Sequence, residues 1–171
     1  MRLFLALVPP PALRRRLGEL TEWAQARCGG RRMPDESLHL TLAFLGEVDE
    51  AGVEALTTWV EGLNVPAGEW RLDAWGCFCH PGILWVGGRT PDTALVNLQA
   101  SLWHDLETLG FGRRPSRFVP HVTLLRRAPR LETQGLPPID LSWPYGRLAL
   151  MRSFTESDRA RYETLARSPT T

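Results

Sequence analysis

Two tetrapeptides, His39-Leu40-Thr41-Leu42 and His121-Val122-Thr123-Leu124, stand 82 positions apart in this chain. Each lies in an apolar run closed by turn-forming residues, "SLHLTLAFLG" (37–46) and "PHVTLLRRAP" (120–129), and each run reads as a strand. In a strand, side chains at i and i+2 share a face, about 7 Å apart. His39 and Thr41 therefore share one face and Leu40 and Leu42 the other, and His121 and Thr123 are set against Val122 and Leu124 in the same way. Each strand buries its aliphatic side and offers an imidazole with a hydroxyl on the opposite side. Two such strands point to two related halves facing each other, with the polar groups turned toward one groove.

The rest of the chain reads as scaffold. "RLFLALV" (2–8) is a compact apolar run, fitting a strand buried in a sheet. Prolines 9 to 11 stop it and open a helix over 11–27, with Leu13, Leu17, Leu20 and Ala24 at helical spacing. "CGGRRMPDES" (28–37) has loop chemistry. "DEAGVEALTTWVEGL" is a second helix with Val53, Leu56, Val60 and Leu63 on one face. "GEWRLDAWGCF" and "GILWVGG" read as two strands around a "CHPG" turn, and a third helix runs from Thr90-Pro91 to Gly110. "RAPRLETQGLPP" is a surface connection, "IDLSWPYGRLALMRSF" and "ARYETLAR" supply further strands, and the last residues are expected to be disordered. The sum is α+β: a single domain over residues 1–166 with a free tail at 167–171.

Composition narrows the function. A formal net charge of +1 argues against a basic arm that grips nucleic acid non-specifically. All 20 basic side chains are arginine, whose planar fork suits phosphate where it is well placed. Three cysteines, Cys28, Cys77 and Cys79, are too few and too unevenly spaced for a disulfide framework, so free thiols and a cytoplasmic setting are expected. "MRLFLALVPPPALRRR" lacks the apolar length of a spanning helix and the small-residue cleavage site of a signal peptide. No membrane association and no obligatory protein partner are expected, and a monomer is the default.

Two imidazoles and two hydroxyls around one groove suit the hydrolysis of a phosphodiester. The reaction needs a base for the attacking water and an acid for the leaving oxygen, on opposite sides of phosphorus. Histidine fills either role near neutral pH, and threonine hydroxyls stabilise charge building on the non-bridging oxygens. Neither a metal nor another cofactor is required. The spacing is symmetric and does not say which histidine is the acid.

At these residues the chain resembles the two-histidine (2H) phosphoesterases, in particular the bacterial and archaeal RNA 2′,3′-cyclic phosphodiesterase (2′-5′ RNA ligase-like) group. The likeness extends from "RLFLALVPP" through "SLHLTLAFLGEV", "GILWVGG" and "LGFGRRPSRFVPHVTLLR" to "RYETL". It implies a bilobal fold, two antiparallel sheets around a central groove with helices packed outside, related by a pseudo-two-fold. It also implies that His39 is the proton donor to the departing 3′ oxygen and His121 the proton acceptor that activates water. Thr41 and Thr123 would hold the phosphate, and the product would be a 2′-phosphomonoester. Phe44, five after His39, corresponds to an aromatic that stacks on a base, and Arg126, five after His121, to a basic residue near the phosphate. Both have the wrong parity for the histidine face of a regular strand, so a bulge or strand end must re-aim them.

Weaker signals are read as structural. Arg113, Arg114 and Arg117 form a solvated loop, Cys77, Cys79 and His80 lack the second ligand pair of a zinc site, and His104 belongs to a helix surface. The expected substrates are RNA 2′,3′-cyclic phosphate ends or small cyclic nucleotides, and the reverse 2′-5′ ligation is open to the same groups. The alternatives are the same chemistry on ADP-ribose cyclic phosphate, oligoadenylate or an RNA 3′ end, or an RNA-end-binding module without turnover.

Overall fold

A computed structural model describes residues 1–157 and 159–170. In chain order the elements are β1 (Arg2–Leu7), α1 (Pro11–Cys28), β2 (Arg31–Arg32), a 3₁₀ turn (Asp35–Ser37), β3 (Leu40–Glu47), α2 (Glu50–Glu61), β4 (Gly68–Leu72), β5 (Ala74–Phe78), β6 (Ile83–Gly87), α3 (Thr93–Thr108), β7 (Val122–Arg126), β8 (Leu141–Tyr145), β9 (Ala149–Glu156) and β10 (Arg159–Arg167). Five consecutive buried residues in β1 mark a strand covered on both faces. Pro11 starts α1, where a missing N–H leaves no hydrogen bond unmade. Leu13, Leu17, Leu20 and Ala24 are buried along one side of that helix. Gly29 follows at φ +69°, a backbone conformation glycine adopts without strain.

The strands form an eight-stranded antiparallel sheet in the order β10-β9-β1-β3-β7-β6-β5, with β2 also paired to β7, and a separate two-stranded sheet, β4-β8. α1 packs against β7, α2 against β9 and β10, and α3 against β3. Leu3, Leu5, Leu7, Leu40, Leu42 and Leu124 join the helices in the main core, while Phe4, Ala6, Ala149 and Met151 form a second, smaller cluster. The alternate residues of β1 thus feed different clusters, as strand geometry requires.

The chain adopts the expected α+β class with antiparallel sheets, and finer expectations are corrected. The halves are continuous, joined where β3 meets β7 at the register pair Leu40↔Val122. The second sheet is a β4-β8 ribbon around the buried pair Trp70 and Trp143, whose rings lie 5.5 Å apart. "GEWRLDAWGCF" divides at Asp73 into strands of different sheets. The Asp73 N–H donates to the Gly87 carbonyl (2.9 Å) and its carboxylate accepts from the Arg89 N–H (2.8 Å), which turns the chain there. "CGGRRMPDES" holds β2 and the 3₁₀ turn as well as loop. α3 starts later than Thr90-Pro91, because the Asp92 carboxylate accepts from the Leu95 N–H (3.0 Å) and caps the helix.

The tail expected free over 167–171 is anchored at its start. Arg167 pairs with Ala149 in β10, and Ser168 is fully buried. The Ser168 hydroxyl accepts from the Leu148 N–H (2.8 Å), and the Ser168 N–H donates to the Leu148 carbonyl (2.9 Å). Thr171 lies outside the described residues.

Candidate active site

The join between the two halves is where the motifs meet. His39 and His121 each stand one residue before their strands, directly ahead of the bridging Leu40 and Val122. Carried one step either way, that register sets His39 across from Thr123 and His121 across from Thr41. All four are on the face opposite the buried Leu40 and Val122. In such a frame diagonal partners such as the two histidines stand about 7–8 Å apart.

Both imidazoles are held in the same way. Nδ1–H of His39 donates to the Ser37 carbonyl (2.8 Å), and Nδ1–H of His121 to the Val119 carbonyl (2.7 Å), in each case two residues upstream. A donor role at Nδ1 leaves Nε2 of the neutral ring as an acceptor. On His39 that nitrogen accepts from the Thr41 hydroxyl at 2.9 Å. Each ring is also flanked by two aromatics. His39 lies 4.9 Å from Phe4 and 5.1 Å from Tyr162, and His121 lies 5.2 Å from Phe78 and 5.9 Å from Trp85.

Burial in these surroundings pushes His39 down from 6.5 to about 4. The Ser37 carbonyl opposes the shift, and the positive charges of Arg126 and His121 add to it. His121 is also pushed down, first by burial and then by Arg126, against the Val119 carbonyl. Arg126 thus acts electrostatically on both histidines.

The parity problem is resolved twice by the same device. In the pairing of β3 with β1, Ala6 faces Thr41 and Leu5 faces Ala43, so Leu42 is an extra residue. In the pairing of β7 with β6, Trp85 faces Thr123 and Leu84 faces Leu125, so Leu124 is an extra residue. Each is a bulge three residues after a histidine, and the consecutive buried pairs Leu42-Ala43 and Leu124-Leu125 show the broken alternation. The bulges bring Phe44 and Arg126 onto the histidine face. Phe44 is 52% exposed, with the Arg2 guanidinium 5.1 Å from its ring centre.

A cleft of about 630 Å³ opens on this face, with His39, Thr41, Phe44 and Arg126 among its lining residues together with Arg2, Phe4 and Tyr162. His121 and Thr123 are not part of that wall and adjoin it across the Leu40–Val122 bridge. The basic loop lies elsewhere. Arg114 donates from Nε to the buried Gln99 (2.9 Å) and from its backbone N–H to Glu107 (2.8 Å), tying the loop to α3. His104 is exposed on α3, and Cys79 and His80 are exposed in the β5–β6 turn. Among the described residues no group of three or more His, Cys, Asp or Glu stands where it could hold a metal ion, and no helix is long and apolar enough to cross a membrane.

Sequence reasoning did not single out Phe4, Phe78 and Trp85, and it noted Tyr162 only as the tyrosine of the closing "RYETL" segment, with no role at the site. The aromatic content of the runs holding Phe4, Phe78 and Trp85 was visible, but only strand order shows which ring reaches which histidine. Trp85 lies over its cross-strand partner Gly76, where a Cβ would come within 2.2 Å of the indole.

Residues 9–153 match the family model of the 2′-5′ RNA ligase superfamily. A protein of Escherichia coli (strain K12) named RNA 2′,3′-cyclic phosphodiesterase is 32% identical over 97% of this chain and 94% of its own length. A protein of the same name from Thermus thermophilus is 33% identical over 90% of this chain and 82% of its own. Among solved structures, E. coli LigT complexed with 3′-AMP superposes with a TM-score of 0.78 at 31% identity, covering 97% of this chain and 95% of that one.

Proposed function

Since the chain belongs to the 2′-5′ RNA ligase superfamily, we propose that it hydrolyses 2′,3′-cyclic phosphate ends of RNA or nucleotides to 2′-phosphomonoesters. The observation that carries this reading is the pair of His-x-Thr segments meeting at one backbone bridge, each imidazole fixed through Nδ1 with Nε2 left for chemistry.

Water attacks phosphorus and gives its proton to Nε2 of His121. The bond from phosphorus to the 3′ oxygen breaks, and Nε2 of His39 protonates that oxygen. The hydroxyls of Thr41 and Thr123 donate to the non-bridging oxygens as charge builds there, Arg126 offsets the negative charge, and Phe44 stacks on the terminal base. In the free protein burial keeps both rings neutral near pH 7. The anionic phosphate beside them reverses that tendency and lets His39 carry the proton it must donate. The Thr41 hydroxyl then exchanges its hydrogen bond to Nε2 for one to a phosphoryl oxygen.

Acid, base and oxyanion donors all come from this chain, so the reaction needs no metal. Three free cysteines fit a reducing compartment, and we assign the enzyme to the cytosol as a monomer. The test is incubation with adenosine 2′,3′-cyclic phosphate followed by ³¹P NMR. Conversion to the 2′-monophosphate, undiminished by EDTA, is expected. A 3′-monophosphate product would reverse the assigned leaving oxygen, and no conversion would refute the activity.

A further inference from the structure

Six arginines line the cleft, Arg2, Arg31, Arg32, Arg126, Arg127 and Arg159, and among the described residues no Asp or Glu does. One reacting phosphate is a poor match for so much positive charge. Arg126 already faces both histidines electrostatically. Arg32 is engaged by Asp35 (2.9 Å) and donates to the Gly18 carbonyl (3.1 Å), and Arg2 lies over Phe44. Arg127 and Arg159 are exposed and reach the cleft from its two halves, Arg127 just after β7 and Arg159 at the start of β10.

Arg127 reaches it by an unusual backbone. Consecutive strand residues face opposite ways, yet Arg126 and Arg127 both line this cleft. Arg127 has φ +53°, in the left-handed region that few non-glycine residues adopt. Such strain persists where the surroundings hold it in place, and it concentrates at ligand-binding positions.

We propose that Arg127 and Arg159 form a second anion subsite for a phosphate on the 5′ oxygen of the terminal nucleoside, so that the enzyme prefers the end of an RNA chain to a mononucleoside cyclic phosphate. The proposal rests on the cyclic phosphodiesterase reading. When the 2′ and 3′ oxygens of a ribose are closed on one phosphorus, the 5′ oxygen is the remaining place for another phosphate. Arginine's planar donor fork suits that phosphate, as a diester in RNA or a monoester on a free nucleotide.

The test compares adenosine 2′,3′-cyclic phosphate, its 5′-phosphorylated form, and the dinucleotide ApA with a 2′,3′-cyclic phosphate end. Both two-phosphate substrates should exceed the first in kcat/KM by about tenfold or more, and the dinucleotide should at least equal the 5′-phosphorylated monomer. The second phosphate should also steepen the log–log salt dependence by about 0.7. R127Q and R159Q should each reduce the preference, and together bring it near one, whereas R113Q, outside the cleft, should keep it. Equal constants for all three substrates, or a preference that survives the double variant, would overturn the subsite. A monomer that outperforms the dinucleotide would overturn the RNA-end assignment. Calorimetric titration with adenosine 2′,5′-bisphosphate against adenosine 2′-monophosphate tests the subsite without turnover. If none of the substrates is cleaved, the catalytic reading fails, while tighter binding of the bisphosphate, lost in the double variant, would still support the subsite, and equal binding would overturn it.

Discussion

Leu40 and Val122 pair where β3 meets β7, and each directly follows a site histidine. The separation of the two imidazoles is therefore set by backbone register at the join of the halves. An acid and a base on opposite sides of phosphorus need such fixed spacing, because misplacement of reacting groups by about 1 Å can cost about 10²-fold in rate.

Either His39→Ala or His121→Ala is expected to lower turnover of a cyclic nucleotide by about 10²- to 10⁴-fold. Circular dichroism and a cooperative thermal transition should show that each variant remains folded. Near-complete activity in either one would break the assignment of acid and base.

The pH profile should carry the mark of buried histidines. In the free protein His39 titrates near 4, and His121 lies below 6.5. The acid must hold its proton and the base must be free of one, so the bell in kcat/KM should centre below pH 6.5. Bound phosphate raises both values, and the kcat bell should lie at higher pH. Arg126→Gln removes a positive charge that lowers both histidines, so both limbs of kcat/KM should move up in pH. A profile that stayed in place would mean Arg126 does not act on the rings.

Acid should also weaken the fold through His39. Its folded value of about 4 lies below the ordinary 6.5, so the unfolded chain binds the proton more tightly. Stability is full above about pH 6.5, falls as the pH drops toward 4, and levels off below, with a total on the order of 3 kcal/mol. Urea titrations of the wild type and His39→Gln across this window should show a shallower loss in the variant.

Phe44 is more than half exposed, so its removal should affect binding more than folding. Phe44→Ala is expected to raise KM by about 5- to 100-fold, reflecting ~1–3 kcal/mol of base stacking, with little change in Tm. Phe44→Trp should restore binding. A drop in Tm with KM unchanged would make Phe44 a packing residue instead.

Gly76→Val should destabilise the protein by about 1–3 kcal/mol, because the new side chain would displace the Trp85 indole beside His121. Turnover should fall with it. Gly62→Ala, where a Cβ would meet nothing closer than 3.7 Å, should change Tm little. Equal effects from the two would show that the indole position is unimportant.

The motifs were legible because a two-residue period needs no tertiary knowledge. The need for a bulge before Phe44 and Arg126 was also readable from parity, and Leu42-Ala43 and Leu124-Leu125 mark where the bulges fall. The break at Asp73 was not legible, since its carboxylate takes an N–H from Arg89, beyond the next two strands. Nor were the rings around His39 legible, because Phe4 and Tyr162 come from opposite ends of the chain and meet through strand order. The anchoring of Ser168 depends on one main-chain partner, Leu148, and a polar C-terminal stretch gives no hint of it.

The acceptors that orient the imidazoles, at Ser37 and Val119, are peptide oxygens. Every residue type carries one, so descendants of this chain are free to exchange both side chains without altering the tautomer. Family alignments should therefore show drift at these two sites even where the histidines never change. Here the inheritance of chemistry runs through the trace of the backbone rather than through the letters.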